Sequence, residues 1–225
     1  MLRAIVFDFD GVIANSEPLH FRGYRDVLAE EGVTLAEEDY YAHYLGFDDV
    51  GAFEAIGQRR GAGWSRKRIR DLVARKAVRL EELERDVSVL FPGAADAIRR
   101  ASDAMPIAIA SGARGEEIRR VLDREGLSGC FTAIVAAEDT AVSKPAPDPY
   151  LRALALLAPA RGHRLEPSEC VAIEDSHWGL ESARTAGLRT VAVTNTYAAD
   201  LLTADLTIGS LHDMDLDLLD RLCSS

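Results

Sequence analysis

Ala4-Ile5-Val6-Phe7-Asp8-Phe9-Asp10-Gly11 opens the chain with a short apolar run that stops at two acids and a glycine. Such a run, Ala4 to Phe9 ended by Asp-Gly, reads as a strand buried on both faces, as in a parallel sheet. Similar runs recur much later at Pro106 to Ala110, Thr132 to Ala136, Cys170 to Ile173 and Thr190 to Val193, with a weaker one at Asp205 to Ile208. Between them the apolar spacing is helical over Ala94 to Ser102, Glu116 to Glu125, Pro149 to Leu157 and Leu180 to Ala186, the last closed by Gly187. Strands alternating with helices of that length imply right-handed βαβ units and a doubly wound parallel sheet of the Rossmann-like α/β class.

The alternation fails only between the first strand and Pro92-Gly93, where residues 15 to 90 carry helical periodicity without a convincing strand. The expected organisation is an α/β core from residues 1–14 and 91–225, with an all-helical domain, 15–90, inserted after the first strand. Its expected helices are Glu17 to Glu31, Leu35 to Tyr44, Val50 to Arg60 and Ser65 to Arg85. The basic run Arg66, Lys67, Arg68 and Arg70 reads as a solvated helix face, and Lys76 as an ordinary surface lysine.

With 225 residues the chain can bury a substantial core, and 28% charged against 48% apolar residues places it among globular proteins. The formal net charge of −11 disfavours nucleic acid and anionic membranes as partners and demands a local positive pocket for any phosphorylated ligand. Cys130, Cys170 and Cys223 are scattered and suggest neither disulfides nor a zinc site. Leu2 enters a strand almost at once and no apolar run is long enough to span a bilayer, so a cytoplasmic, monomeric protein is expected.

In open α/β sheets ligands bind outside the carboxyl ends of the strands. There the sequence places Asp8 and Asp10 after the first strand, Ser111-Gly112 after the second, Lys144 after the third and Glu174-Asp175-Ser176 after the fourth. Asp8 and Asp10, two apart in extended chain, project to one side while Phe9 points into packing. Carboxylates this crowded repel one another, and an oxygen-ligand cation such as Mg²⁺ relieves the repulsion. Lys144, the Ser111 hydroxyl and nearby backbone N–H groups suit phosphate oxygens. Asp8, ionised beside a cation, can attack phosphorus; Asp10 can give a proton to the leaving oxygen and take one from water. Each piece alone reads blandly, as an Asp-Gly turn, a helix cap or a loop. All of them in order at strand ends do not.

With these residues in order, the chain resembles the haloacid dehalogenase superfamily of aspartate-nucleophile phosphatases. The likeness rests on Asp8-Phe9-Asp10-Gly11-Val12-Ile13, Ser111, Lys144-Pro145-Ala146-Pro147-Asp148-Pro149-Tyr150 and Glu174-Asp175-Ser176 with Gly179. Asn15-Ser16-Glu17-Pro18-Leu19-His20 points to the β-phosphoglucomutase and phosphoglycolate phosphatase-like subgroup, whose helical cap the insert resembles. The resemblance implies Asp8 as nucleophile, Asp10 as acid and base, and Ser111 with Lys144 as phosphate ligands. It implies Mg²⁺ held by Asp8, the Asp10 carbonyl and Asp175, with Glu174 in or near the shell. Asn15 departs from the aspartate many relatives carry at the cap hinge. Glu17, His20 and Leu45-Gly46-Phe47-Asp48-Asp49 are the candidates for substrate contact within the cap. His177, Trp64 and Trp178 read as packing or surface residues.

Four activities stay open on these residues: phosphatase, phosphosugar mutase, dehalogenase and silent binder. The metal-ligand set and Asp10 disfavour the dehalogenase, and the complete motif set disfavours the silent binder. Where the mutases resembled carry Lys and Arg around the cap-loop glycine, this chain has Leu45 and Asp49. Acidic groups there repel a second phosphate, so the expectation is a Mg²⁺-dependent phosphatase of a small phosphorylated metabolite.

Overall fold

A computed structural model of the protein describes residues 1–44, 47–85, 87–161 and 165–224. The chain divides into two compact units, Met1–Asn15 with Val89–Ser225, and Ser16–Ser88.

The first unit holds a parallel sheet of β1 (Ala4–Phe7), β2 (Ile107–Ala110), β3 (Ala133–Val135), β4 (Cys170–Glu174), β5 (Arg189–Val193) and β6 (Leu206–Ile208), in the order β3-β2-β1-β4-β5-β6. This is the doubly wound arrangement read from the sequence, and its strand order reverses at β1, between β2 and β4. The central strands are sealed on both faces, which is why they carry no polar alternation. Ala4 and Val6 face one layer with Ala108, Ala110, Cys170 and Ala172, against Leu157 and Ala183 of the helices.

Several sequence-derived boundaries shift by a few residues, two of them for evident local reasons. β1 ends at Phe7, two residues early, because the Phe9 carbonyl turns back to accept Ile13 N at 2.8 Å and Ala14 N at 2.9 Å. The helix expected from Leu180 starts at His177, since the Ser176 side chain accepts Gly179 N at 3.1 Å and caps it. The helix expected over Pro149 to Leu157 runs Asp148–Arg161. That expected from Glu116 runs Gly115–Arg124. With Ala94–Ala104 and Leu216–Cys223 these complete the helices described around the sheet.

The second unit contains α1 (Glu17–Glu30), α2 (Glu37–His43), α3 (Asp49–Arg60) and α4 (Arg66–Glu84) and, among the described residues, no strand. In chain order the core helices are then α5 (Ala94–Ala104), α6 (Gly115–Arg124), α7 (Asp148–Arg161), α8 (His177–Thr185) and α9 (Leu216–Cys223). Phe21, Tyr24, Leu28, Tyr40, Phe53 and Leu72 form the aromatic-rich core of the helical unit. Asp48 caps α3 by accepting Gly51 N at 2.7 Å, and Ser65 caps α4. No described helix is long and apolar enough to cross a membrane.

Candidate active site

Asp8 stands where the strand order reverses. Its N–H donates to the Ile173 carbonyl at 2.9 Å, prolonging the β1–β4 ladder by one step, and its own Oδ1 accepts Phe9 N at 2.7 Å. The chain then leaves the sheet through Gly11, whose φ of +77° suits glycine. A Cβ there would also run into the Asp175 carboxylate, so Gly11 lets the first turn lie directly against the end of β4. Asn195, in the loop after β5, pins this turn by donating from Nδ2 to the Gly11 carbonyl at 2.8 Å.

β4 delivers Glu174 and the loop after it Asp175. Glu174 is fully buried: its Oε1 accepts Lys144 Nζ at 2.5 Å and the Tyr150 hydroxyl at 2.7 Å, while Oε2 faces Ser176 Oγ at 3.2 Å and Asp175 N at 3.3 Å. The same Lys144 ammonium lies 2.9 Å from Asp8 Oδ1. Its loop is held by Ser182 of α8, which donates to the Ala146 carbonyl at 2.5 Å. Asp175 Oδ2 accepts a short hydrogen bond from the Thr196 hydroxyl.

Oxygen atoms of Asp8, Glu174 and Asp175 all lie within 4.8 Å of one another, in buried surroundings. Three carboxylates there face a single ammonium, an excess of two negative charges. Burial, and then Glu174, raise the Asp8 pKa well above the ordinary carboxylate range against the opposing pull of Lys144. Burial pushes Asp175 up to about 7, although the Thr196 hydrogen bond opposes it. For Lys144, burial works against the charge, but Asp8 and Glu174 prevail and raise its pKa. An all-oxygen, electron-rich donor set with unbalanced negative charge suits a hard divalent cation, which would favour the ionised forms of Asp8 and Asp175.

Ser111 follows β2 at the same carboxyl edge: Phe7 pairs with Ile109 in register, and Ser111 N donates to the Val135 carbonyl at 2.9 Å. Its hydroxyl oxygen accepts Ala113 N at 3.1 Å, and the Cβ direction of Gly112 is open. Asp10 sits half-buried in the turn, its backbone bridged to Ala14. The structure thus gathers Asp8, Lys144, Glu174 and Asp175 into one cluster of contacts, with Ser111 and Asp10 on the loops of the same edge.

Glu17 and His20 belong to α1 of the helical unit and have partners there. Glu17 accepts a short hydrogen bond from the Tyr40 hydroxyl, and His20 Nδ1 lies 2.9 Å from Lys76 Nζ. Lys76 is not a surface lysine; it is 1% exposed, with Asp49 Oδ1 at 2.7 Å and the Tyr24 ring centroid at 4.7 Å. Asp49 also accepts the Tyr24 hydroxyl at 2.6 Å, and although burial opposes it, Lys76 holds its carboxyl below the usual range. Of the two acids of the candidate segment, Asp49 is thus paired with a buried lysine, while the exposed Asp48 accepts the N–H of Gly51 as the cap of α3. Leu45 and Gly46 of that candidate segment lie outside the described residues. Trp64 packs on Phe53, while His177 and Trp178 are exposed, in keeping with their reading as packing and surface residues.

Tyr150, Asn195 and Thr196 were not among the expected site residues. The strand-end rule, applied to β5, points directly at Thr194-Asn195-Thr196. Tyr150 carried a weaker signal, a polar aromatic six residues after Lys144.

The family model of haloacid dehalogenase-like hydrolases matches residues 2–187, which include every member of this cluster. The chain belongs to this family. The protein CbbY of Rhodobacter capsulatus is 34% identical over 222 residues, spanning 93% of this chain and 94% of that protein. Hexitol phosphatase B of Escherichia coli K12 is 29% identical over 94% of this chain and 93% of its own. The crystal structure of CbbY from Rhodobacter sphaeroides in complex with phosphate superposes with a TM-score of 0.79, at 27% identity, over 95% of this chain and 96% of that one. The haloacid dehalogenase-like assignment agrees with the resemblance carried by the four motifs, and the enzyme class is that of its phosphatases, phosphoric monoester hydrolases.

Proposed function

We propose that this hydrolase cleaves the monoester of a small phosphorylated metabolite, a sugar or polyol phosphate, with Mg²⁺ and through an aspartyl phosphate on Asp8. The observation that carries the reading is the single Lys144 ammonium shared between Asp8 and Glu174 inside a three-carboxylate cluster at the reversal of strand order. Asp8, the Asp10 carbonyl and Asp175 would hold Mg²⁺, with Glu174 at its edge; when bound, the cation neutralises the phosphate dianion and keeps Asp8 ionised. The names of the relatives, hexitol phosphatase among them, favour a sugar or polyol as the alcohol half.

In this reading an Asp8 oxygen attacks phosphorus and the P–O ester bond breaks, its electron pair leaving with the alcohol oxygen. Asp10 gives that oxygen a proton. Asp10 then takes a proton from water as the water oxygen attacks the phosphorus, the bond to Asp8 breaks and inorganic phosphate leaves. Lys144 and Ser111 hold the non-bridging phosphate oxygens. A phosphosugar mutase is the weaker reading, because the Lys76 ammonium in the helical unit is already paired with Asp49.

The test is a screen of the purified chain against hexose, pentose and hexitol phosphates with Mg²⁺ or EDTA, alongside Asp8→Asn. Phosphate release that needs Mg²⁺ and disappears in Asp8→Asn is expected. Full activity in excess EDTA, or turnover that survives Asp8→Asn, would overturn the proposal, and efficient conversion of β-glucose 1-phosphate to glucose 6-phosphate would favour the mutase.

A further inference from the structure

Tyr150 stands in the first turn of α7 with no exposed surface, inside the layer formed by Ala4, Val6, Ala110, Leu157 and Ala172. An apolar layer calls for phenylalanine there, since an unpartnered phenolic hydroxyl in such surroundings is costly. What accounts for the hydroxyl is Glu174: the Tyr150 O–H and the Lys144 ammonium converge on the same oxygen, Oε1, at 2.7 and 2.5 Å. The contacts to the other oxygen, Oε2, are longer, 3.2 Å to Ser176 Oγ and 3.3 Å to Asp175 N. Glu174 is therefore gripped at one oxygen and only loosely engaged at the other.

Lys144 is a divided anchor, because Asp8 Oδ1 lies 2.9 Å from the same nitrogen. Among the described residues the Tyr150 hydroxyl hydrogen-bonds to Glu174 alone. Gly179 supplies the opposite wall: a Cβ there would overlap the Glu174 carboxyl group, so the carboxylate lies directly against the first turn of α8 and cannot retreat. Tyrosine on one side and glycine on the other leave the carboxylate one orientation.

We propose that Tyr150 is a positioning residue which, by holding Glu174 Oε1 beside the Lys144 ammonium, fixes the orientation of the Glu174 carboxylate in the cluster and so sets the affinity of the carboxylates for their divalent cation. This rests on the metal-dependent reading above. Hydrogen-bond partners that orient metal-site carboxylates are typically worth about 10- to 100-fold in metal affinity.

The experiment is Mg²⁺ titration calorimetry on the full chain, with no substrate, for wild type, Tyr150→Phe and Leu157→Ala, each with its melting temperature. Leu157 is a fully buried member of the same apolar layer as Tyr150, with a side chain that has no hydrogen-bonding group. Tyr150→Phe should bind Mg²⁺ about 10-fold more weakly while remaining folded. Leu157→Ala should lose at least as much thermal stability with wild-type affinity. Affinity in Tyr150→Phe within about 2-fold of wild type would overturn the positioning role alone, as would equal weakening in Leu157→Ala, which marks general loosening. A wild-type chain that binds no Mg²⁺ would overturn this inference together with the reading beneath it.

Discussion

Gly179→Ala should destabilise the protein, although it places a better helix former inside α8. In an open helical position the exchange stabilises by about 1 kcal/mol. Here the new methyl group would sit far closer than 3.0 Å to the Glu174 carboxyl group, a separation real Cβ atoms essentially never show. The carboxylate would have to move on the order of 1 Å in a close-packed interior. Pushed from the Gly179 side, it would be driven against the Lys144 ammonium and the Tyr150 hydroxyl, whose contacts at 2.5 and 2.7 Å leave no room to shorten, so the carboxylate would have to turn out of both hydrogen bonds. Hydrogen bonds to a charged group contribute about 1.5–3 kcal/mol each, so after the helix gain the net loss is roughly 2–5 kcal/mol. For a chain of this length that is a fall of about 5–15 °C in melting temperature. Thermal unfolding followed by circular dichroism reads it directly. Gly129→Ala is the control, because a Cβ there meets nothing within 4 Å. A Gly179→Ala protein that melts at or above wild type would refute the reasoning and mean that Glu174 is free to retreat.

Two further outcomes follow from the charges. Asp8 and Asp175 are more basic in the fold than their usual 3.8, Asp175 reaching about 7, so between those values the metal-free folded chain binds more protons than the unfolded one and loses stability as pH rises. In EDTA the melting temperature should therefore be higher at pH 5 than at pH 8, and Mg²⁺ should recover the loss at pH 8; a rise across that window in EDTA would contradict the assignment. Lys76→Met should cost about 2–4 kcal/mol, less than a fully buried ion pair because Asp49 keeps some contact with water, whereas Lys67→Met should change stability by no more than about 0.5 kcal/mol. Adding Asp49→Leu to Lys76→Met should restore much of the loss, and a single Lys76→Met variant as stable as wild type would show that the pair contributes little.

The sheet was legible because its strands are short, apolar and buried on both faces, and because a parallel sheet puts every strand's carboxyl end at one edge. Reading those ends in turn located Asp8, Ser111, Lys144, Glu174 and Asp175 without any side-chain geometry. The same rule holds at β5, where Asn195 donates to the Gly11 carbonyl and Thr196 donates to Asp175. The burial of Lys76, against its reading as a surface lysine, has a different origin. The buried positions of α4 are Ile69, Leu72, Lys76, Leu80, Leu83 and Glu84, so the lysine occupies a step of the apolar stripe. Periodicity alone marks it as buried, but the partner that makes burial tolerable, Asp49, is supplied by the start of another helix and is visible only in three dimensions. Tyr150 was hidden similarly, since a tyrosine in an apolar layer reads as packing until its hydroxyl is seen on Glu174.

The buried Lys76 and the partly buried Lys144 distinguish scaffold from site by charge stoichiometry. In the helical unit Lys76 meets Asp49, with His20 and Tyr24 completing its surroundings: one ammonium, one carboxylate, and a carboxyl held below its usual range. That balance needs no ligand and fits a structural role. In the α/β unit Lys144 divides itself between Asp8 and Glu174 while Asp175 stands beside them, and Asp8 and Asp175 are pushed upward. A protein interior does not keep such an excess without cause, because two hydrophobic residues or one more cation would remove it. The imbalance is what a site looks like when its neutralising charge arrives with the ligand. Tyr150, Thr196 and Gly179 then have a common explanation: they fix carboxylates that repel one another in the orientation a cation will need.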